Sequence, residues 1–491
     1  MSTSRILRED DPLLRQVTSI VQFLNPAEVS DLKAALAQFR ATHGFGRAIA
    51  ANQIGLCRRM VAVDLGAGPF LVVNPEITWR SDQCFELWDD CMSVPDRLVR
   101  VRRHRSISLR FLDEQLRSRT WERLPPDLSE LMQHEIDHLD GVLMTDRAVG
   151  PDPVRSISER AALVQPQRPT SRLSLMNIAR ASQVIDPVFL HSPQFEYEPL
   201  AAALGCRLTV KSEISNPIRC FKARGAQFFV AMASEMGGGP KLVCSSAGNF
   251  GQALALACRV RRIPLTVYAP CNANPLKLQR MRQLGADVQL VGSDVDSSKA
   301  AAHEHARNTG ARMVEDGLEP GISEGAGTIG MELLARGDAF DDVVLPIGNG
   351  ALAAGVGRWI KAAAPATRII GVCAAGAPAM AESWRRGPDH EQMVEFPGVD
   401  TIADGIAIRL PIPQAIRDLH EVLDDVVLVS DDDIIASMKL LHEQLGMLVE
   451  PAGAVAIAAI QADPARWANR TVATVLTGGN ITVEAFRRLA G

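Results

Sequence analysis

The chain lacks several features that would assign it to a specialised class of protein. It has no run of about 18 apolar residues, so we expect no membrane-spanning helix. Its first residues carry the acids Glu9, Asp10 and Asp11 and no apolar segment, so we expect no secretory signal. The formal net charge is only −5 at pH 7, which gives no electrostatic case for nucleic-acid binding. Nine cysteines in 491 residues are too sparse for a disulfide framework, so we expect reduced thiols and a cytoplasmic protein.

The residues that are present indicate an ordinary globular protein of more than one domain. The composition is 47% hydrophobic and 22% charged, and a length of roughly 100–200 residues per domain predicts about two to four domains. Residues 1–164 combine short β-like runs with one strongly helical segment at 126–139. This first domain ends in an amphipathic piece at 154–164, interpreted as a short closing helix, and residues 165–172 are interpreted as a linker. A basic cluster at 100–105 is interpreted as a solvated strand edge rather than a phosphate-binding patch.

Residues 173–491 alternate short apolar runs with helical patterns. The clearest apolar runs are Leu242–Cys244, Leu265–Ala269, Val288–Val291, Val343–Pro346, Ile369–Cys373 and Thr471–Leu476. Short apolar strands that alternate with helices predict parallel sheets covered on both faces. Several of these runs lead into glycine-rich turns, and open α/β sheets bind their ligands at such carboxyl ends of strands.

The sharpest local pattern is a pair of histidines four residues apart, His134 and His138, with Glu135 between them. Positions i and i+4 share one face of a helix, so both imidazoles can bind one metal ion. Glu135 would act as general base beside a water whose pKa the metal lowers from 15.7 towards ~7. An amphipathic helix with two chance histidines is the alternative interpretation. Cys91 offers a third ligand, and two histidines with one thiolate leave the open position that a catalytic site needs.

Three motifs in order make this first domain resemble peptide deformylase. They are a small-residue turn at Gly46–Gly55, the segment Asp89–Pro95 and the segment Gln133–Gly141. The last of these matches the family's pattern Q-H-E-x-D-H-L-x-G in full. The resemblance implies an N-terminal α+β domain that removes an N-formyl group with the help of ferrous iron or zinc.

The resemblance also implies roles for individual residues. It implies the metal ligands Cys91, His134 and His138, the acid and base Glu135, and two groups that stabilise the developing oxyanion, the side chain of Gln53 and the backbone amide of Met92. The sequence departs from the family at Ala48, where the family has glycine, and at Asp89-Asp90, where it has Glu-Gly. Both departures lie where the family's substrate backbone runs, and Asp90 adds a negative charge beside the metal.

Four segments of the second domain carry a different chemistry. Lys222 follows Phe221 at a predicted helix start, and a Schiff-base lysine needs such a partly desolvated setting. Taken alone, this lysine is more simply an ordinary surface residue. Ser246–Gln252 opens an Ala-rich helix whose amides suit a carboxylate, and Gly348–Leu352 precedes a helix with amides that can surround a phosphate. The fourth segment, 476–480, closes the last predicted strand.

In this order the segments resemble the fold-type-II pyridoxal-phosphate family, which is also called tryptophan synthase β-like. Within it they are most similar to the threonine/serine dehydratases, or ammonia-lyases. The family's S-F-K-x-R-G-A is matched by Cys220–Ala226, its S-A-G-N-H-A-Q by Ser246–Gln252 and its G-G-G-G-L by Gly348–Leu352. The resemblance runs from Leu173 to Gly491 and implies an α/β domain of two open parallel-sheet subdomains.

This second resemblance assigns the cofactor and substrate contacts. Lys222 is implied to carry the cofactor and to move the α-proton. The other residues implied to bind the cofactor are Asn249 at the ring hydroxyl, Thr477 at the pyridine nitrogen, and Gly348, Asn349, Gly350, Ala351 and Leu352 at the phosphate. The residues implied to bind the substrate carboxylate are Ser246, Ala247, Gly248 and Asn249. A hydroxyl at position 477 leaves the pyridine nitrogen neutral, which favours quick β-elimination.

Three residues bear on which reaction follows. Ala247 stands where related serine racemases carry a second serine, and because a methyl group cannot donate a proton, racemisation is disfavoured. Phe250 replaces the family's histidine. Asn349 is similar to threonine synthase and β-synthase relatives as much as to dehydratases. Phe250 and Asn349 therefore keep β-replacement open as an alternative.

The leading interpretation is a bifunctional enzyme. One domain eliminates the β-substituent of threonine, serine or a related amino acid with pyridoxal 5'-phosphate, and the other removes an N-formyl group with a metal ion. The alternative is a β-replacement synthase whose deformylase-like domain is a non-catalytic metal-binding or oligomerisation module. The expected partners are a small amino acid, an N-formyl amino acid or peptide, and a second copy of the chain in a dimer, but neither nucleic acid nor a membrane.

Overall fold

The computed structural model describes residues 5–64, 68–163, 171–235, 241–387 and 393–491. They fall into two units, Met1–Thr170 and Ser171–Gly491, which are called unit 1 and unit 2 and are described separately. Residues 165–170 of the predicted linker lie outside the described residues. Within the described ranges, no helix is both long and apolar enough to cross a membrane.

Unit 1 combines two antiparallel sheets with one buried helix. Its strands are β1 (Ala48–Ala50), β2 (Met60–Val63), β3 (Phe70–Arg80), β4 (Cys84–Cys91), β5 (Val94–His104), β6 (Ile107–Leu112), β7 (Ser118–Trp121) and β8 (Val154–Ser156). Its helices are α1 (Pro26–His43), α2 (Pro126–Leu139) and α3 (Arg160–Leu163). One sheet has the order β1-β2-β3-β6-β7 and the other the order β4-β5-β8, so β1 and β4 are terminal strands of their sheets.

Helix α2 covers the predicted helical segment 126–139. Pro126 occupies its first turn, where the missing N–H costs no helical hydrogen bond. Every residue from Leu128 to Leu139 is buried, and α2 packs against β1 and β5. Because buried polar groups need partners, the polar side chains of α2 have to be paired inside the unit or bind a ligand.

The segment 154–164 differs from the predicted closing helix. Val154–Ser156 forms β8, a 3-10 turn follows at Ile157–Glu159, and of the described residues only Arg160–Leu163 is α-helical; residue 164 lies outside the described residues. Strand β8 pairs antiparallel with Arg97–Val99 of β5. An isolated helix of this length is unstable, whereas pairing with an existing strand satisfies the backbone at once.

Unit 2 is an alternation of strands and helices. Its strands are β9 (Gln194–Glu196), β10 (Arg207–Ser212), β11 (Leu242–Ser245), β12 (Leu265–Ala269), β13 (Asp287–Leu290), β14 (Arg312–Met313), β15 (Asp342–Pro346), β16 (Arg368–Ala374), β17 (Asp425–Val429) and β18 (Thr471–Leu476). Its helices are α4 (Leu175–Val184), α5 (Glu198–Leu204), α6 (Lys222–Glu235), α7 (Asn249–Arg261), α8 (Pro275–Gln283), α9 (Val295–Thr309), α10 (Pro320–Ala335), α11 (Ala351–Ala363), α12 (Ala379–Arg386), α13 (Pro413–His420), α14 (Asp431–Leu445), α15 (Pro451–Ala462), α16 (Pro464–Trp467) and α17 (Val483–Ala490).

The strands of unit 2 form two open sheets, as predicted. In the larger sheet, of order β17-β16-β15-β18-β10-β9, all neighbours are parallel except the edge strand β9. The smaller sheet, of order β13-β12-β11-β14, is parallel throughout. Five of the six apolar runs singled out in the sequence lie within these strands, and the sixth, Val288–Val291, extends one residue beyond β13.

Three helices of unit 2 pack closely because they carry glycine at the crossing points. A Cβ on Gly325 of α10 would lie 2.6 Å from the carbonyl oxygen of Arg224 in α6, and one on Gly355 of α11 would lie 1.9 Å from that of Ser323 in α10. Only glycine leaves room for these contacts. Since α6 begins at Lys222 and α11 begins at Ala351, within the glycine-rich loop Gly348–Leu352, this packing fixes the lysine relative to that loop.

Candidate functional site

The three predicted metal ligands of unit 1 lie together. One ligand atom from each of Cys91, His134 and His138 falls within 4.8 Å of the others, and all three residues are buried. Cys91 is the last residue of β4, and its Sγ lies 3.1 Å from Nε2 of His138. The two histidines project from the same face of α2, with their ring centroids 5.0 Å apart. One sulfur and two nitrogens fit a tetrahedral ion that keeps one position open.

The buried ion pair of Asp89 and Arg103 orients His134. Asp89 accepts a hydrogen bond from Nδ1 of His134 at 2.9 Å, which leaves Nε2 to face a metal. Arg103 donates to Asp89 at 3.1 Å and also pairs with Asp137 of α2. Burial alone would raise the pKa of Asp89, but His134 and Arg103 outweigh it and hold that pKa well below its usual range. Burial lowers the pKa of His138, which favours the neutral imidazole that binds metals.

The predicted acid and base, Glu135, lies beside the ligands on α2. Glu135 is only 3% exposed, and its Oε2 has no hydrogen-bond partner among the described residues. Burial raises the pKa of Glu135 to about 7. A carboxyl group that changes its protonation state near neutral pH is suited to moving a proton.

The two predicted oxyanion donors also face the ligands. Gln53 accepts the backbone N–H of Ala50 at Oε1, which turns its Nε2 towards Sγ of Cys91, 3.7 Å away, and Oγ of Ser93, 3.2 Å away. The backbone amide of Met92 lies in the turn between Cys91 and Val94, and it has no acceptor in the described part of the chain. Sequence reasoning did not assign roles to Ser93, or to Arg103 and Asp137 in the charge network.

The predicted cofactor lysine of unit 2 opens helix α6. Nζ of Lys222 donates to Oδ2 of Asp316 at 2.5 Å and lies 4.7 Å from the centre of the Phe221 ring. The lysine side chain is 15% exposed, so a small molecule can reach it. Asp316 is 9% exposed, and its second oxygen, Oδ1, is buried with no hydrogen-bond partner among the described residues. Sequence reasoning missed Asp316, which belongs to no motif.

The glycine-rich loop Gly348–Leu352 lies next to the Asp316 segment. A Cβ on Gly317 would stand 2.2 Å from the carbonyl oxygen of Asn349, so the two loops are in direct contact. Gly350 has a φ of 88° and precedes the first residue of α11. This left-handed conformation favours glycine and turns the loop amides to the helix N-terminus, a setting that fits a phosphate.

The loop Ser246–Asn249 forms another wall of this site, since Nδ2 of Asn249 would lie 3.2 Å from a Cβ on Gly478. Oγ of Ser246 accepts the backbone N–H groups of Gly248 and Gly251, which tightens the turn before α7. Asn249 donates from Nδ2 to Glu450 at 2.5 Å and accepts at Oδ1 from Asn480 at 2.7 Å. The side chain of Asn249 is therefore held in one orientation.

A buried lysine joins this wall to the rest of the site. Lys277 is 2% exposed, and its Nζ would lie 3.5 Å from a Cβ on Gly248. It donates to Asp404 at 2.7 Å and lies 3.6 Å from Glu450. Burial alone would lower the pKa of Lys277, but the carboxylates of Glu450 and Asp404 outweigh it and raise that pKa.

Thr477 completes the site at the end of β18. Its carbonyl oxygen accepts the backbone N–H of Phe221 at 3.0 Å, which ties it to the residue before Lys222. Its hydroxyl is buried and, among the described residues, hydrogen-bonds only to the carbonyl oxygen of Ala452, at 3.5 Å. The lysine, the glycine-rich loop, Asn249 and Thr477 thus belong to one connected set of contacts. This set, with the unpaired Asp316 oxygen, fits pyridoxal phosphate.

Comparison with known proteins agrees with this division. Residues 185–478 match the family model described as pyridoxal-phosphate dependent enzyme, and residues 3–153 match that of polypeptide deformylase. The chain therefore belongs to the pyridoxal-phosphate dependent enzymes and carries a deformylase domain at its N-terminal end. Its larger domain has the predicted fold-type-II architecture.

Particular relatives of the larger domain share about a third of its residues. An L-threonine ammonia-lyase from Thermotoga maritima is 34% identical over 318 residues, covering 65% of this chain and 78% of the relative. A biosynthetic L-threonine dehydratase from Halalkalibacterium halodurans is 31% identical over 324 residues, covering 65% and 77%. The processed threonine deaminase isoform 2 from Solanum lycopersicum superposes with a TM-score of 0.59 at 30% identity, over 64% of this chain and 85% of the other. Maize serine racemase gives 0.60 at 27% identity, over 65% and 97%.

Proposed function

We propose that unit 2 removes the β-substituent and the amino group of a hydroxy amino acid such as threonine or serine. The observation that carries the proposal is the pair of Lys222 and Asp316 beside the glycine-rich loop. The relatives named above, called threonine dehydratase or threonine ammonia-lyase, support the substrate class.

The residues of unit 2 divide the work. Lys222 would hold pyridoxal phosphate covalently through Nζ, and the cofactor, when bound, supplies an electron sink for bonds to the α-carbon. Ser246–Asn249 would bind the substrate carboxylate, and Thr477 would leave the pyridine nitrogen unprotonated. Lys222 takes the α-proton, and Asp316 holds the ammonium group that results. Ala247 has no proton to give to the opposite face, which supports elimination over racemisation.

The test is product analysis with the full chain and added pyridoxal phosphate. Threonine and serine should each give a 2-oxo acid and ammonia, and Lys222→Ala should give neither. If instead the oxo acid is absent and an added thiol or amine is joined to the β-carbon, the β-replacement alternative is correct. Phe250 keeps this alternative open, because it replaces the family's histidine. It packs in an apolar cluster with Cys220, where the imidazole of a histidine would be poorly solvated.

We propose further that unit 1 removes an N-formyl group. Cys91, His134 and His138 would hold ferrous iron or zinc, which when bound polarises the formyl carbonyl as a Lewis acid. Glu135 takes a proton from the attacking water at Oε2 and passes it to the leaving amine. Gln53 and the Met92 amide donate to the oxygen that becomes negative.

Formate release tests this second activity. The metal-loaded chain should release formate from N-formyl amino acids or formyl peptides. Glu135→Gln should lose at least about 100-fold in rate, since a positioned acid-base group contributes about 100- to 10,000-fold, while it retains its metal. A protein that binds metal but releases formate from none of these substrates would favour the alternative of a metal-binding or oligomerisation module.

We also propose a homodimer, to be measured by light scattering.

A further inference from the structure

A single arginine of unit 1, Arg160, contacts two residues near the proposed metal site. Nε of Arg160 donates to Oδ2 of Asp90 at 2.7 Å, and the guanidinium lies 4.8 Å from the centre of the Phe45 ring. Asp90 directly precedes the ligand Cys91, and Phe45 lies three residues before β1. No motif of the sequence pointed to Arg160 or Phe45.

Arg160 is held in this position by the fold. Pairing of β8 with β5 anchors the segment just before it, and the 3-10 turn at Ile157–Glu159 leads to Arg160. Phe45 packs edge-on against Phe39 of α1, with centroids 5.3 Å apart, so the platform under the guanidinium is fixed as well. An arginine stacked on an aromatic ring and braced by a carboxylate has fewer conformations to lose when it binds an anion.

The position of this arginine bears on how a peptide could bind. An extended peptide binds by adding a strand to a sheet edge, and β1 and β4 are the terminal strands of their sheets. Gln53 and Gly46 face Cys91 and Met92, so the segment around β1 lies opposite the end of β4. Arg160 joins the two sides through Phe45 and Asp90, across the path between these edges.

The donors of Arg160 that remain free match a carboxylate. Asp90 uses Nε, and the two terminal nitrogens have no hydrogen bond within the described part of the chain. Terminal guanidinium nitrogens form paired hydrogen bonds with carboxylates. In an N-formyl amino acid the carboxylate is three bonds from the formyl carbon. Asp90 and Cys91 are neighbours with Cα atoms about 3.8 Å apart, so Arg160 is tied to the residue next to the proposed ligand Cys91.

We infer that unit 1 acts on N-formyl amino acids with a free α-carboxylate, which Arg160 binds, rather than on formyl peptides. This inference rests on the proposed deformylase function and names its substrate class. Asp90, which stands where the deformylase family has glycine, is then the residue that positions Arg160.

The test compares three substrates on the metal-loaded full chain: N-formylmethionine, its amide and a formylmethionyl dipeptide. The free acid should have a kcat/KM about 10- to 100-fold above the other two, since hydrogen bonds to a charged group contribute about 1.5–3 kcal/mol. Arg160→Gln should remove this preference by raising KM, with kcat little changed, and Arg160→Lys should restore part of it. Arg155→Gln is the matched control, because Arg155 lies on the same segment and, among the described residues, donates hydrogen bonds only to backbone carbonyls.

Calorimetry gives a second readout that does not need turnover. N-acetylmethionine should bind the metal-loaded protein, its amide should bind at least about tenfold more weakly, and Arg160→Gln should abolish the difference. If formate is released but the dipeptide is the better substrate and Arg160→Gln changes nothing, the inference is wrong while the deformylase function stands. If no substrate releases formate yet binding depends on the carboxylate and on Arg160, the carboxylate site stands and the deformylase function is wrong.

Discussion

At the scale of single residues, the most informative contact is the one between Lys222 and Asp316. A lysine that takes a proton from carbon becomes an ammonium group, and a carboxylate 2.5 Å away stabilises that charge. When Lys222 is joined to a cofactor, Asp316 loses this partner, and its other oxygen has none among the described residues. Asp316 is therefore placed to act through Lys222 during each proton transfer.

We predict that Asp316→Asn slows β-elimination without releasing the cofactor. Asparagine keeps the shape but not the charge, so kcat should fall about 10- to 100-fold with KM nearly unchanged. The deuterium isotope effect with α-deuterated serine should increase, because proton removal becomes more nearly rate-limiting. The exposed Asp287→Asn, at the start of β13, is the control. An unchanged isotope effect together with normal cofactor absorbance would show that Asp316 has no part in proton transfer.

Asp89 supports a proposed metal ligand of unit 1, His134, in a comparable way. Replacing it with asparagine weakens the hold on Nδ1 of His134 and leaves Arg103 with one buried partner fewer. Loss of such an outer partner typically lowers metal affinity about 10- to 100-fold. We predict that loss for zinc in Asp89→Asn, measured by competition with a chelator. Asp96→Asn, with its side chain 72% exposed, should bind zinc like the unchanged protein; equal affinities of all three proteins would contradict the prediction.

Single residues also set the limit of sequence reasoning. The proximity of Cys91, His134 and His138 could be predicted because their spacing is local or belongs to a motif. The sequence predicts Arg103 as part of a solvated basic cluster, but Arg103 is buried between Asp89 and Asp137. Its partners come from a neighbouring strand and from α2, and only the folded chain brings them together. Asp316 and Lys277 were missed for the same reason.

At the scale of elements, the sequence predicts the positions of those helices and strands that are stabilised by local interactions. Helix α2 and six apolar strands follow their predicted positions, since periodicity and flanking turns specify them. Residues 154–164 do not, because pairing with β5 overrides a weak helical pattern. The order of strands in the two sheets of unit 2 depends on contacts that are distant in sequence, and no local pattern contains it.

The junction of α10 and α4 gives a prediction for stability against pH. Glu324 of α10 is buried and accepts hydrogen bonds from the N–H of Ser174 and from Asn177. Burial raises the pKa of Glu324 from 4.5 to about 7. The folded chain therefore keeps a proton that the unfolded chain releases, so the stability this group contributes is full below about pH 4.5 and is lost as the pH rises to about 7.

We predict that Glu324→Gln reverses this loss. Glutamine stays neutral, so the free energy of unfolding of the variant, relative to the unchanged protein, should improve by about 2 kcal/mol between about pH 5.5 and about pH 8. Unfolding in urea at the two pH values measures this difference. Glu382→Gln, at a partly exposed ion pair on α12, is the control. A Glu324→Gln effect independent of pH would mean that Glu324 is ionised in the folded chain throughout this range.

At the scale of the whole molecule, the question is why one chain carries both units. A deformylase that acts on N-formyl amino acids produces a free α-amine, and a pyridoxal-phosphate enzyme needs that amine to bind its substrate. The chemistry of the two proposed reactions is therefore sequential: the product of unit 1 belongs to the substrate class of unit 2. Covalent linkage then keeps the two activities at equal amounts and at a high effective concentration.

This sequence of reactions can be tested with N-formylserine. The full chain should release formate first and then a 2-oxo acid and ammonia, with Glu135→Gln blocking all three products and Lys222→Ala blocking only the last two. A mixture of these two variants contains each activity on a separate chain. If linkage assists transfer, the mixture should show a longer lag before the 2-oxo acid appears than the unchanged protein does at the same concentration of active sites. Equal lags at every dilution would mean that serine passes through free solution and that linkage only matches the amounts of the two activities.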